Sequence, residues 1–272
     1  MKWKPIDRSG FEQRDSALKK IVRYNKYKPM WYRTDLYLHS HRIVWLLEEL
    51  LPFALRVFPG FNIELARTMA TVHDDLEISL GDIMLGDKVN FTPEQHAELY
   101  IQEQLAIEAV AQNYPDTING FRYKQLMQRY QMFEEYSHPE MEIMMDDPET
   151  CLIKYCDKLD AFCEALHELH AGNSAFLNGY STNNTPPIPV FIKVFSTFTQ
   201  KFPLFKRMKI FTHPFLQVPL DIQPEMIVSN GKPHTRESIQ HNTKFPFYDK
   251  WRQVSLAHGG SALMKRLTEK VE

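Results

Sequence analysis

Apolar residues recur along this chain at intervals of three and four, in runs separated by short polar breaks, and that period belongs to amphipathic helices rather than strands. After a polar, basic opening over residues 1–30, Ala17 to Tyr24 are spaced as a short helix. A stronger stripe of Ile43, Leu46, Leu47 and Leu50 predicts a helix beginning near His39 and ending at Pro52. The next, from Phe61 to about Leu80, carries Leu65, Met69, Val72 and Leu76 on one face and stops at Gly81-Asp82. Thr92-Pro93-Glu94-Gln95 reads as an N-cap, a first-turn proline and an acidic start, so a helix runs from there to about Asn113. Phe121 to Tyr136 forms another, its Met and aromatic residues read as packing, and Ser137 to Glu149 is an acidic loop.

The helix predicted from Thr150 differs in kind. Leu152, Ile153, Cys156, Leu159, Ala161, Phe162 and Cys163 occupy most of its circumference, so it is buried on nearly all sides until Ala171-Gly172-Asn173 ends it. Beyond it the pattern loosens, and nine of the 17 prolines fall between 176 and 272. Thr185 to Pro189 reads as an extended linker, Val190 to Phe202 as a helical patch, the stretch to Tyr248 as irregular, and Lys250 to Lys270 as a helix broken by Gly259-Gly260. The chain thus divides into a helical domain over residues 1–180 and a C-terminal, proline-rich, partly helical extension over 181–272.

Composition narrows what such a bundle does. A hydrophobic content of 43% over 272 residues fills a real core without staples. A net charge of −2 argues against nucleic acid or an anionic membrane as the main partner, which leaves a small molecule. Cys151, Cys156 and Cys163 share one helix with neither CxxC spacing nor an even count, which suits a reduced setting. The opening Met1-Lys2-Trp3-Lys4-Pro5 lacks the apolar run of a signal peptide and no stretch is long enough to span a bilayer, so a cytoplasmic protein is expected.

Candidate chemistry concentrates between Thr71 and Asp82, where His73, Asp74, Asp75, Glu77 and Asp82 lie together with no basic residue among them. Such a cluster is stable only if some members face water and others a cation. His73 and Asp74 offer one nitrogen and one oxygen to a divalent ion, and Glu77 falls on the same helical side, close enough to carry protons without binding. Asp75, about 100° round a helix from Asp74, is the water-facing member. His39, at the start of its own helix, supplies a further nitrogen; His41 points roughly 200° away and is left out. A carboxylate in the buried helix must be paired or metal-bound. Asp157, beside the Cys156 and Ile153 stripe, is the fourth ligand, and Asp160 is left to Lys158 or to water. His213, His234, His241 and His258 lack ligand spacing. Lys26, Lys28 and Arg33 surround Trp31, an arrangement of cations beside a flat ring that could grip a nucleotide, or a solvated basic segment anchored by the ring.

His39, then His73-Asp74, then Asp157 resembles the H…HD…D signature of HD-domain metal-dependent phosphohydrolases. His39-Ser40-x-Arg42-Ile43 is similar to the H-S-x-x-V helix start of the 5'-deoxynucleotidases of the YfbR type, and His73-Asp74-x-x-Glu77 with Gly81-Asp82 resembles their HDxxE…GD segment; Ala106-Ile107-Glu108 and Ala171-Gly172-Asn173 extend the likeness. It covers roughly residues 15 to 180. The resemblance implies an all-α HD-domain bundle in which His39, His73, Asp74 and Asp157 bind one divalent cation, Glu77 handles protons around the attacking water, and Asp82 lies by the sugar. The residue before the first histidine, commonly acidic in that branch, is Leu38, and Lys28, Trp31 and Arg33 stand nearest by position to its substrate-binding arginine and tryptophan. The implied reaction is hydrolysis of a deoxynucleoside 5'-monophosphate, with a triphosphate hydrolase or a non-catalytic metal-binding scaffold as alternatives and a homodimer left open.

Overall fold

The computed structural model describes residues 3–27, 30, 32, 34–132, 147–170, 172–180, 185–217, 228–229, 232–233 and 246–258. Helices dominate: α1 (Glu12–Leu18), α2 (Leu36–Val57), α3 (Ile63–Val72), α4 (Glu77–Leu80), α5 (Leu85–Lys88), α6 (Pro93–Ala111), α7 (Tyr123–Gln131), α8 (Pro148–His170), α9 (Ala175–Asn178), α10 (Pro187–Lys201), α11 (Pro214–Gln217) and α12 (Pro246–Ala257). A 3-10 segment covers Pro203–Ile210. Among the described residues, strands are confined to two-residue antiparallel pairs. One joins Thr117–Ile118 to Phe121–Arg122 across Asn119-Gly120, both with positive φ (49° and 83°), the backbone that an Asn-Gly hairpin turn adopts. The other joins Val228–Ser229 to Lys232–Pro233. The protein is therefore all-α. No described helix is long and apolar enough to cross a membrane.

The core forms where α2, α3 and α8 meet, with α7, α9, α10 and α12 packed around them. As its apolar circumference predicts, α8 is buried almost throughout, and only Pro148 at its start and Lys158 are partly exposed. α2 opens on Asp35, whose carboxylate accepts from the Leu38 amide at 2.9 Å. It does not stop at Pro52. The pyrrolidine ring lies on the exposed side, and burial of Leu51, Ala54 and Val57 holds the following turn in place despite the missing amide. Thr92 caps α6 in a capping box with Gln95 and Pro93 occupies its first turn, as the sequence indicates.

Expectation and structure part over the helix predicted from Phe61 to Leu80. α3 ends at Val72, and bonds from Asp75 N to Val72 O and from Glu77 N to Asp74 O make a tighter turn before α4. Its cause is local competition for carbonyls. Thr71 O, which a continuing helix would offer to the Asp75 amide, accepts from the Arg14 guanidinium, and Ala70 O pairs with His73 Nδ1 at 2.8 Å. Gly81 then takes a φ of 81° and terminates α4. Asp75 is not the water-facing acid either. It is completely buried, held by Arg14 Nε at 2.6 and 2.8 Å and by the Tyr123 hydroxyl at 2.7 Å. The guanidinium reaches it from α1, more than fifty residues upstream, so no window around Asp75 reveals the pair.

Several other boundaries move. The first helix lies at Glu12–Leu18, ahead of the expected Ala17 to Tyr24, because Phe11, Arg14 and Leu18 are its buried positions. Pro187 and Pro189 do not sit in a linker: they occupy the first turn of α10, where amide hydrogens have no helical partner to lose. The described residues after 181 include ones that pack on α8, with Phe162 meeting Phe191, Phe195 and Phe247 at ring separations of 5.6 to 5.7 Å and Tyr155 stacked on Phe205 at 4.2 Å. The end of the Phe121 to Tyr136 helix beyond Met132, most of the acidic loop, and the terminal helix beyond His258 lie outside the described residues, as do His234 and His241. His213 and His258 lie against aromatic rings, Phe53 and Trp45 respectively.

Two outcomes follow from this packing. Asp75→Ala leaves the Arg14 charge buried without its partner and lowers unfolding free energy by roughly 3 to 5 kcal/mol in urea titration. The three thiols are free, at most 1% exposed, and pushed to higher pKa by burial, so a thiol reagent modifies them only when denaturant is added.

Candidate metal centre

The four predicted ligands come from three helices that contact one another. His39 stands in the first turn of α2, His73 and Asp74 in the tightened turn after α3, and Asp157 midway along α8. His39 Nε2 is 3.3 Å from Asp74 Oδ2 and 3.3 Å from Asp157 Oδ1, and His73 Nε2 is 3.2 Å from Asp74 Oδ2. Separations on the order of 3 Å are those of donor atoms sharing one small cation. Both imidazoles are fully buried, and neither Nε2 makes a well-directed hydrogen bond. Burial and the Arg23 charge both disfavour protonating His39, yet its contacts with Asp157, Asp160 and Asp74 outweigh them and raise its pKa to about 10. A cluster that holds a proton so tightly favours positive charge between these side chains. Two nitrogens and two carboxylates fit a divalent transition ion.

Each ligand is oriented from behind. His39 Nδ1 lies 2.7 Å from Asp160 Oδ2; Asp160 also accepts from Arg42 and Trp251, so it acts as a carboxylate and Nδ1 donates, which leaves Nε2 to offer its lone pair to a cation that takes the place of the second ring proton. Asp157 Oδ2 accepts from the Tyr130 hydroxyl at 2.9 Å and from Lys158 at 3.0 Å, which leaves Oδ1 towards His39. The expectation that Asp160 is answered by Lys158 or water is thus corrected: Lys158 serves Asp157, while Asp160 is wholly buried among donors from α2 and α12. His39, Asp160 and Glu164 also sit close enough to form a ligand triad, but Arg42 already lies there, with Nε and Nη2 at 2.7 and 2.9 Å from Asp160 and Nη2 at 2.9 Å from Glu164. That pocket has its cation.

Asp74 and Asp157 line a cleft, partly open to solvent, together with Glu77, Asp82, Arg23, Tyr24 and Lys88. Glu77 Oε2 is buried with no hydrogen-bond partner. Burial first, then the charges of Asp74 and Asp82, pushes this carboxyl well above its ordinary pKa; burial and Asp74 raise Asp82 as well. Arg23 is the countercharge. Its guanidinium is 3.9 Å from Asp74 and 3.4 Å from Glu164, and despite burial the Glu164 and Asp82 charges keep it firmly protonated. The far wall is apolar, with Tyr27 from the segment after α1 and Val190 and Phe191 from α10.

The structure therefore brings together His39, His73, Asp74, Asp157, Glu77 and Asp82, whereas Lys28, Trp31 and Arg33 lie outside the described residues. Sequence reasoning missed Arg23, Tyr24, Tyr130 and the Asp160 network. A cation directly followed by an aromatic ring at Arg23-Tyr24 was the available signal for the first two, hidden by reading them as the end of a surface helix. For Asp160 no local signal exists, because its donors arrive from 118 and 91 residues away.

The chain is similar in fold to a conserved hypothetical protein from Pyrococcus furiosus, at 18% identity and a TM-score of 0.45 over 72% of this chain and 92% of the other. The PH0347 protein from Pyrococcus horikoshii OT3 gives 18% and 0.44 over 70% and 96%. No curated protein matches it. The model of the YfbR-like 5'-deoxynucleotidases matches residues 11–195, a span that contains every ligand and cleft acid described above, and the chain belongs to that family.

Proposed function

We propose that this protein is a metal-dependent phosphohydrolase that converts deoxynucleoside 5'-monophosphates to nucleoside and phosphate in the cytoplasm. The observation that carries the reading is the convergence of His39 Nε2, His73 Nε2, Asp74 and Asp157 at a cleft that also holds Glu77. Three buried, unpaired thiols suit a reducing compartment.

His39, His73, Asp74 and Asp157 would hold a divalent ion, which when bound would supply a lowered pKa for water at the site and positive charge against the phosphate. The remaining work falls to the protein. Glu77, which burial and the Asp74 and Asp82 charges make a stronger base than an ordinary carboxylate, takes a proton from the attacking water and returns it towards the departing sugar oxygen. Arg23 grips phosphoryl oxygens with a guanidinium fixed by Glu164, so little reorganisation accompanies binding. Asp82 accepts from a sugar hydroxyl, and Tyr24 and Phe191 flank the base. Lys28, Trp31 and Arg33 follow Tyr27 of the cleft wall in the chain, and the proposal keeps them as further substrate contacts.

The charge inventory favours a monophosphate over a triphosphate. Among the described residues, the cleft's cations besides Arg23 are Lys88 and Lys158, and each already faces a carboxylate, Glu103 at 3.4 Å and Asp157 at 3.0 Å. A scaffold without turnover leaves the buried, unpartnered oxygen of Glu77 with no role.

Purified protein with Mn²⁺ or Co²⁺ is expected to release phosphate from deoxynucleoside monophosphates and to stop on addition of chelator; no release from any mono- or triphosphate overturns the reading. Glu77→Ala retains bound metal while kcat falls at least about 100-fold. Asp157→Ala loses metal, as measured by elemental analysis. Arg23→Ala raises KM about tenfold or more, the loss expected for one charge-assisted hydrogen bond.

A further inference from the structure

The residues that hold the proposed ion do not end the chain of contacts. His39 Nδ1 donates to Asp160 Oδ2 at 2.7 Å, and the other oxygen, Oδ1, accepts from Arg42 Nε at 2.7 Å and from the indole nitrogen of Trp251 at 2.6 Å. Trp251 belongs to α12, more than fifty residues beyond the end of the family match at 195. Its ring is fully buried, lies 5.4 Å from the Arg42 guanidinium and stacks on Tyr248 at 5.8 Å. Arg42 forks onto both oxygens of Asp160, Nε on Oδ1 at 2.7 Å and Nη2 on Oδ2 at 2.9 Å, but its Nη2 is shared with Glu164 at 2.9 Å, so that fork is pulled from two sides. The indole is a further donor on Oδ1 and braces the carboxylate from α12. It donates one hydrogen bond, carries no charge and cannot compete for the cation.

We infer that Trp251 is a positioning residue for the metal centre: by holding Asp160 it sets the direction of the His39 lone pair, and the C-terminal segment thereby governs how tightly the ion is bound. This rests on the reading of His39 as a ligand. Partners behind a metal-bound histidine typically change affinity by about 10- to 100-fold, and Trp251 acts one bond further back, so the lower end of that range applies.

The full-length chain is titrated with Mn²⁺ by calorimetry, with melting temperature followed in parallel. Trp251→Phe keeps the ring and removes the donor; it weakens Mn²⁺ binding about tenfold. Asp160→Asn weakens it at least as much, and the double variant binds no worse than Asp160→Asn alone, since both act along one path. Phe247→Leu, which loosens the same helix against Phe162 without touching Asp160, lowers the melting temperature and leaves Mn²⁺ affinity unchanged. Should Trp251→Phe fail to fold, the wild-type chain answers through its ¹⁵N indole resonances, one of which is strongly hydrogen-bonded, slow to exchange and shifted by Zn²⁺. Affinity unchanged in Trp251→Phe, an equal loss in Phe247→Leu, or no indole resonance that responds to Zn²⁺ overturns the inference while the metal site stands. A wild-type chain that binds no ion overturns both.

Discussion

A carboxylate cannot stay ionised inside a helical bundle unless donors surround it, and Asp160 shows how much of the molecule that requirement recruits. His39 and Arg42 reach it from α2, and Trp251 reaches it from α12. Because burial penalises the charged form and only these contacts offset the penalty, the three helices cannot shift independently of one another. The same logic recurs at Asp75, answered by Arg14 and Tyr123, and at Asp157, answered by Tyr130 and Lys158. The bundle is less a greasy core with a site on top than a set of buried acids, each tying distant segments together.

This explains what could be read from the sequence and what could not. Helices are local, so the periods of α2, α6 and α8 announced them, and the residue types of His39, His73-Asp74 and Asp157 announced a cation site. Pairings are not local. Asp75 looked exposed and Asp160 looked idle because the guanidinium and indole that answer them are remote in sequence, and a helical wheel assigns faces without knowing what packs there. The broken helix at His73 is a similar case: nothing in residues 61–80 says that Arg14 takes the Thr71 carbonyl. Pro52 and Pro187 misled for the opposite reason. Proline's local cost is real, but burial of the neighbouring turns or a place in the first turn removes its force.

The break at His73 also has a functional side. With regular helix geometry after Val72, His73 and Asp74 would point along successive positions about 100° apart. The tighter turn lets His73 pair back to Ala70 through Nδ1 while its Nε2 meets Asp74. Two adjacent residues thereby reach the same point in space.

The cleft at this centre is lined from two sources. Its apolar lining includes Val190 and Phe191 on α10, whereas the lining acids Asp74, Glu77 and Asp82 belong to α4 and the turns beside it. Under the proposed function, substitutions on α10 reshape which base is accepted while the hydrolytic apparatus stays as it is, so that selectivity and reactivity are free to drift apart in evolution or under directed change.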